Sequence, residues 1–257
     1  DAAKAWKIAA SDVPADSSVL YGVLPTGVKY AVMKNATPKG RVAIRMQFDI
    51  GSLAEEEGQR GLAHFLEHMA FNGSKNVPEG EMVKLLERKG LAFGADTNAS
   101  TGFDATEYKL DLPQPTEDLI DTGLMLMRET ASELTISDEA VSRERGVILS
   151  ERRARDTYAL RDVVGQFGFF YDGLSLVNRM PIGTEDVIRN APAKRLRDFY
   201  EGYYRPERTT LVIVGDIEPA EIEAKIKSRF ADWQGKGVAK PNPELGKIAF
   251  NRPAAAD

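Results

Sequence analysis

The chain has 257 residues, 42% of them apolar and 28% charged, an ordinary balance for a soluble globular protein with enough core for one large domain or two small ones. Its net charge of −5, with both signs mixed along the chain, argues against a nucleic-acid partner, which needs a basic face, and no apolar run approaches the ~20 residues of a membrane span. There is no Cys, which excludes disulfides and any Cys-based zinc site, and there are two His in the whole chain, four residues apart.

Residues 1–18 are small and polar and read as an N-terminal arm. Leu24-Pro25-Thr26-Gly27 reads as a turn between short strands, with Val28, Tyr30 and Val32 alternating after it. Residues 41–50 alternate cleanly, Val42, Ile44, Met46, Phe48 and Ile50 against Arg45, Gln47 and Asp49, which predicts a half-buried strand. A polar loop at 55–59 leads into an apolar-rich helix at 61–71, stopped by Asn72-Gly73, and a second helix is predicted at 79–89 after Pro78. Residues 93–101, rich in Gly, Asn and Thr, read by themselves as a loop. Residues 106–112 alternate again, as a strand ended by Pro113 and Pro115. Two long helices follow, at 116–133 and at 138–156 with Ser137 as N-cap, and a shorter one at 193–202. The β-branched run at 209–214 predicts a strand buried on both faces, and 218–233 a helix, before a linker-like tail from Gly235 to Asp257. Strands and helices come in blocks, so the expected fold class is α+β, a mainly antiparallel sheet with helices packed on one face. The expected organisation is an arm at 1–18, one catalytic domain at 19–234 and a linker at 235–257.

The chemistry concentrates in Gly61-Leu62-Ala63-His64-Phe65-Leu66-Glu67-His68-Met69. On a helix, positions four apart share a face, so the imidazoles of His64 and His68 can grip one metal ion. Glu67, three residues after His64, points to nearly the same side and is placed to take a proton from a water on that metal. A catalytic zinc uses three protein ligands and leaves a fourth position for water. The spacing His-x-x-Glu-His is the inverse of the commoner His-Glu-x-x-His and is a metallopeptidase signature. Isolated histidines on apolar helices are usually satisfied core residues, but burying these three polar groups together without a metal would cost several kcal/mol.

With no His or Cys remaining, the third ligand is expected to be a carboxylate. Glu144 and Glu151 lie seven apart on the helix at 138–156, on one face and ~10 Å apart along the axis. Only one of them can reach the metal, and the other can orient a histidine from behind.

Together these segments resemble the pitrilysin/insulinase family of zinc metallopeptidases, from about Leu20 to Trp233. His64-Phe65-Leu66-Glu67-His68 matches the inverted zinc motif, and Arg143-Glu144-Arg145-Gly146-Val147-Ile148-Leu149-Ser150-Glu151 the downstream acidic helix. The resemblance implies a zinc-dependent endopeptidase with one Zn²⁺ per chain and Glu67 as catalytic base. The interval 144 − 68 = 76 implies Glu144 as third ligand, with Glu151 in support. It also implies that Phe93–Thr101 is an active-site edge strand whose Asn98 and Ala99 face a peptide substrate adding as a further strand. Pro181-Ile182-Gly183-Thr184, Tyr203-Tyr204-Arg205-Pro206 and Val214-Gly215-Asp216 resemble structural landmarks of the same family. Family members work as two halves around a chamber, so the resemblance implies a second homologous half, in the same parent chain or as a separate subunit. Similarity to the long bacterial members implies a periplasmic compartment. The alternative within the family is a catalytically silent scaffold or assembly subunit of the same fold.

Overall fold

A computed structural model of the chain describes residues 2–248. After a short N-terminal helix α1 (Ala2–Ala5), the strands are β1 (Val19–Val23), β2 (Lys29–Lys34), β3 (Val42–Phe48), β4 (Thr97–Thr101), β5 (Thr106–Leu112) and β6 (Thr209–Gly215). They form one sheet in the order β1-β2-β6-β3-β5-β4. Every pairing is antiparallel except β2 with β6. The architecture is α+β, as expected from the sequence.

The register explains why the sheet has one inner face. Val42 pairs with Leu112, Ile44 with Leu110 and Met46 with Tyr108, so the apolar sets of β3 and β5 coincide on one side. All six are buried, while Arg45, Lys109 and Asp111 between them remain partly exposed. β6 follows the same alternation. Leu211 and Ile213 are buried, but Val212 and Val214 are only half-buried, so the strand expected to be covered on both faces is covered on one. Its β-branched run reflects a central position between β2 and β3 rather than a second helical layer.

The remaining helices are α2 (Leu62–Met69), α3 (Glu81–Arg88), α4 (Glu117–Ser132), α5 (Asp138–Arg155), α6 (Tyr158–Phe170), α7 (Glu185–Asn190), α8 (Ala193–Tyr203) and α9 (Pro219–Phe230). α4 packs over β5 and α9 over β2. Gly123 lets α4 approach closely: a Cβ there would come 2.9 Å from Ile44 Cδ1 and 3.1 Å from Leu110 Cδ2. α5 begins where Ser137 Oγ accepts the Ala140 N–H at 3.1 Å, and its first turn is acidic and its last basic, in the sense that the helix dipole favours.

Several elements had no counterpart in the periodicity, the short helices α1 and α7 among them. β4 is a strand at the sheet edge rather than a loop, as the resemblance implied. α6, which no helical periodicity marked, has no buried residue and exposes Tyr158, Phe169 and Phe170. The flanking segments lie against the domain. Trp6 donates its indole N–H to Gly22 O at 2.9 Å, and the Lys240 and Ser175 N–H groups bond Gly202 O and Leu245 O at 3.1 and 3.0 Å. Residues 249–257 of the expected linker lie outside the described residues.

The segment before α7 fixes the start of α2. Gly183 sits at φ +69, and a Cβ on it would overlap Gly61 Cα and lie 2.6 Å from Arg60 O. Gly183→Ala is therefore expected to lower stability by about 2–4 kcal/mol, because fixed backbone must move and the left-handed φ disfavours a side chain. Gly123→Ala meets only side-chain tips and should cost less. Urea denaturation midpoints of the two variants rank them; equal losses would show that the Gly61–Gly183 contact is not a backbone constraint.

Candidate metal centre

α2 is buried along nearly its whole length, so its polar groups must be met from other elements. The N–H groups of its first turn lack helical partners. Glu55 supplies them: Oε2 accepts Gly61 N–H and Oε1 accepts Ala63 N–H, both at 2.9 Å. Burial pushes the Glu55 carboxyl up to about 8, against the opposing pull of these two N–H groups and of Arg179 and Arg60.

The two imidazoles stand on the side of α2 that faces α5, their ring centroids 4.7 Å apart. Glu151 Oε2 lies 3.3 Å from His68 Nε2 and 3.6 Å from His64 Nε2. Its other oxygen is held by Arg155 at 2.5 Å. Glu144 is elsewhere: its Oε1 bonds His68 Nδ1 at 2.7 Å, and its Oε2 accepts from Asn72 Nδ2 at 3.1 Å. Glu144, which the resemblance implies as third ligand, thus meets His68 at Nδ1, and Glu151 meets the Nε2 atoms. The α5 turn that carries Glu151 meets the Nε2 edges of both rings, while Glu144, two turns earlier, reaches His68 from its far side.

His64, His68 and Glu151 offer ligand atoms that all lie within 4.8 Å of one another. Two atoms tetrahedrally placed about 2.0–2.1 Å from a zinc ion are separated by about 3.3–3.4 Å. The observed 3.3 and 3.6 Å match that edge. Two imidazole nitrogens and one carboxylate oxygen are also a donor set of catalytic zinc, so the residues present fit the ion.

The electrostatics divide the two rings. Burial, with the neighbouring charge of His68, lowers the His64 pKa to about 4, so His64 is neutral at pH 7. For His68 burial acts in the same direction, but the hydrogen bond and charge of Glu144 and the charges of Glu67 and Glu151 outweigh it and raise the pKa. Burial also raises Glu144, and is outweighed by the bonds from His68 and Asn72, which leave it ionised.

Glu67 lies on the same helix and accepts a hydrogen bond from Thr101 Oγ1 to Oε2 at 2.6 Å. Burial raises its pKa despite that bond. Thr101 ends β4, so the edge strand and the carboxylate meet at one wall of a cleft of about 650 Å³ that also reaches Asn98, Ala99, Phe71 and Phe93. Every site residue expected from the sequence borders this cleft: His64, Glu67, His68, Asn98, Ala99, Glu144 and Glu151. Sequence reasoning missed Glu55, Asn72, Thr101 and Arg155. Arg155 had a local signal, i+4 from Glu151 on one helix. Thr101 acts across the fold and had none, and Glu55 acts over six and eight residues with no helical or strand spacing to mark it.

The profile described as "Insulinase (Peptidase family M16)" matches residues 30–167, and "Peptidase M16 inactive domain" matches residues 190–254. The chain is 37% identical to the "Probable zinc protease PqqL" of Haemophilus influenzae over 243 residues, which are 95% of this chain and 26% of that protein. It is 34% identical to the "Zinc protease PQQL-like" of Arabidopsis thaliana over 213 residues, 82% of this chain and 22% of that one. The solved first half of the periplasmic protease PqqL from Escherichia coli superposes with a TM-score of 0.87 at 32% identity, over 92% of this chain and 51% of that one. The chain spans about a quarter of the length of these curated relatives.

The Glu55 cap generates a pH dependence. The folded chain keeps this proton to about 8, whereas a free carboxyl releases it near 4.5, so the folded state binds more protons throughout that window. Stability due to Glu55 therefore falls as pH rises from 4.5 towards 8. Urea midpoints measured at several pH values should decline more steeply for the wild type than for Glu55→Gln. Parallel profiles would mean that Glu55 does not hold its proton in the folded state.

Proposed function

The chain belongs to the insulinase family of peptidases, family M16, and on that premise we propose that it is the zinc-binding catalytic domain of a metalloendopeptidase that hydrolyses peptides or unfolded protein segments. The observation that carries this reading is the convergence of His64 Nε2, His68 Nε2 and Glu151 Oε2 beside the carboxylate of Glu67. In this reading His64, His68 and Glu151 hold one Zn²⁺, and Glu144 orients His68. The two acidic residues thereby exchange the roles that the sequence resemblance implied.

Bound zinc supplies Lewis-acid activation of water, lowering its pKa to ~7. The rest is the work of the chain. The His68 Nδ1–H held by Glu144 fixes the tautomer that presents Nε2 to the metal. Glu67 has one oxygen tied to Thr101 and the other free to take a proton from the attacking water and pass it to the leaving amine. Its raised pKa suits both transfers. The outer edge of β4 offers backbone N–H and C=O groups to an extended peptide, with Asn98 and Ala99 beside the cleft. Main-chain pairing of this kind tolerates varied sequences.

The domain is taken as residues 19–234, with the arm and the tail from 235 as flanking segments. A second homologous unit, in the parent chain or as a subunit, completes the working enzyme; the short span relative to the zinc proteases supports this. Similarity to a periplasmic PqqL supports a bacterial periplasmic setting. Among the described residues no helix is long and apolar enough to cross a membrane.

Competition with a chromogenic chelator tests the ligand order. Glu144→Gln should weaken zinc binding about 10–100-fold, as loss of an orienting carboxylate does, and Glu151→Gln should weaken it more. The reverse ranking would return the third ligand to Glu144. Glu67→Gln should keep a full equivalent of zinc yet slow hydrolysis of a quenched fluorescent peptide by the parent protein about 100-fold or more. A zinc-loaded wild-type parent without hydrolysis would favour the scaffold reading.

A further inference from the structure

We infer that Asn72 is a positioning residue of the metal centre, acting through Glu144 and His68; this rests on the reading of the zinc site given above. Asn72 lies outside the His-x-x-Glu-His motif, just past the end of α2. Its side-chain amide donates two hydrogen bonds, to the backbone carbonyl of His68 at 2.9 Å and to Glu144 Oε2 at 3.1 Å. Both partners are acceptors, so the amide must present its NH₂ end to them and its orientation follows from the network. One group thereby caps the carbonyl of a metal-binding residue and clamps the carboxylate that holds the same residue's ring.

The consequence for Glu144 is complete. Oε1 takes the His68 Nδ1 bond and Oε2 takes the Asn72 bond, so the carboxylate cannot turn about its axis without breaking one of them. His68 is thus held at two points, ring and backbone, by a closed ring of bonds from His68 to Glu144 to Asn72 and back to His68.

Asn72 is itself aimed by its surroundings. The loop that follows is pinned to buried Glu129, which accepts from Ser74 Oγ at 2.6 Å, Asn76 N at 3.0 Å and Asn76 Nδ2 at 2.7 Å. Gly73 O accepts from Thr135 N at 3.2 Å and Thr135 Oγ1 at 3.1 Å. α4 and the segment before α5 therefore hold from both sides the loop that follows Asn72, and an interior carboxylate outside the cleft lining anchors it.

The test uses the isostere that cannot donate. Asn72→Asp keeps the shape but sets a carboxylate against two acceptors, one of them Glu144. It should weaken zinc binding by about 10–100-fold in chelator competition, and shift the visible bands of the cobalt-substituted protein. Asn72→Ala, which removes the donors without adding charge, should weaken binding less, and it keeps the test intact should Asn72→Asp fold poorly. The exchange variant Asn72→Asp/Glu144→Gln restores a donor–acceptor pair in the opposite sense and should bind zinc more tightly than Asn72→Asp alone. Losses that simply add in the double variant would overturn the coupling through Glu144. A residue that merely ends the helix would lower the melting temperature of the metal-free protein and leave zinc affinity and the cobalt spectrum unchanged, which would overturn the proposal. Zinc bound by the wild type with wild-type affinity in Asn72→Asp defeats this proposal alone. Failure of the wild type to bind zinc defeats the reading of the site and this proposal with it.

Discussion

α2 is two turns long and almost wholly buried, yet carries His64, Glu67 and His68. A buried polar group without a partner costs on the order of 1–3 kcal/mol, and more if charged. The environment of α2 meets most of that demand, leaving His64 Nδ1 without a hydrogen-bond partner among the described residues. Glu55 satisfies its first turn, Thr101 reaches Glu67 from the sheet edge, and Glu144 and Glu151 approach the histidines from α5. These partners come from three different segments, the loop before α2, β4 and α5, which together constrain where the helix sits. The constraint that makes the helix expensive to bury also makes its side chains well placed for chemistry.

The two long acidic contacts differ in kind. A carboxylate 2.7 Å from a ring N–H is a charge-assisted hydrogen bond. A carboxylate oxygen 3.3 and 3.6 Å from two ring nitrogens is the spacing of atoms arranged about a common centre. Distances that differ by a few tenths of an ångström thus separate the two kinds of contact, although both carboxylates belong to one helix face.

This is where reading the sequence reached its limit. The interval of four between His64 and His68, with Glu67 between them, determines a shared face on any helix, so the core of the site was legible. The interval of seven between Glu144 and Glu151 puts both on one face but says nothing of which turn crosses α2 nearer the Nε2 edges. That depends on how α5 lies across α2, a tertiary fact. β3 and β5 were legible because each has one inner face. β4 was not, because an edge strand of Thr, Asn, Ala and Ser has no apolar period to reveal it. α6 escaped for the related reason that its apolar residues are not buried. Glu55 and Thr101 sit in segments whose local pattern is unremarkable, and their roles exist only once α2 is packed beside them.

The position of β6 has a consequence for how the chain is made. β6 is the last strand in sequence and lies in the middle of the sheet, between β2 and β3. Until it arrives, β1 and β2 form one hairpin, and β3, β5 and β4 a separate three-stranded sheet, with no strand pairing between them. The central pairings join residues far apart in sequence, which is the arrangement that folds slowly, since loop closure must precede the contacts that reward it. During synthesis the nascent chain therefore carries two unpaired inner edges, those of β2 and β3, until Thr209–Gly215 has emerged. Such edges are sites of mispairing. The three-stranded unit that carries β4, a wall of the cleft, is locked to the rest of the sheet by a strand that contributes nothing to the cleft itself.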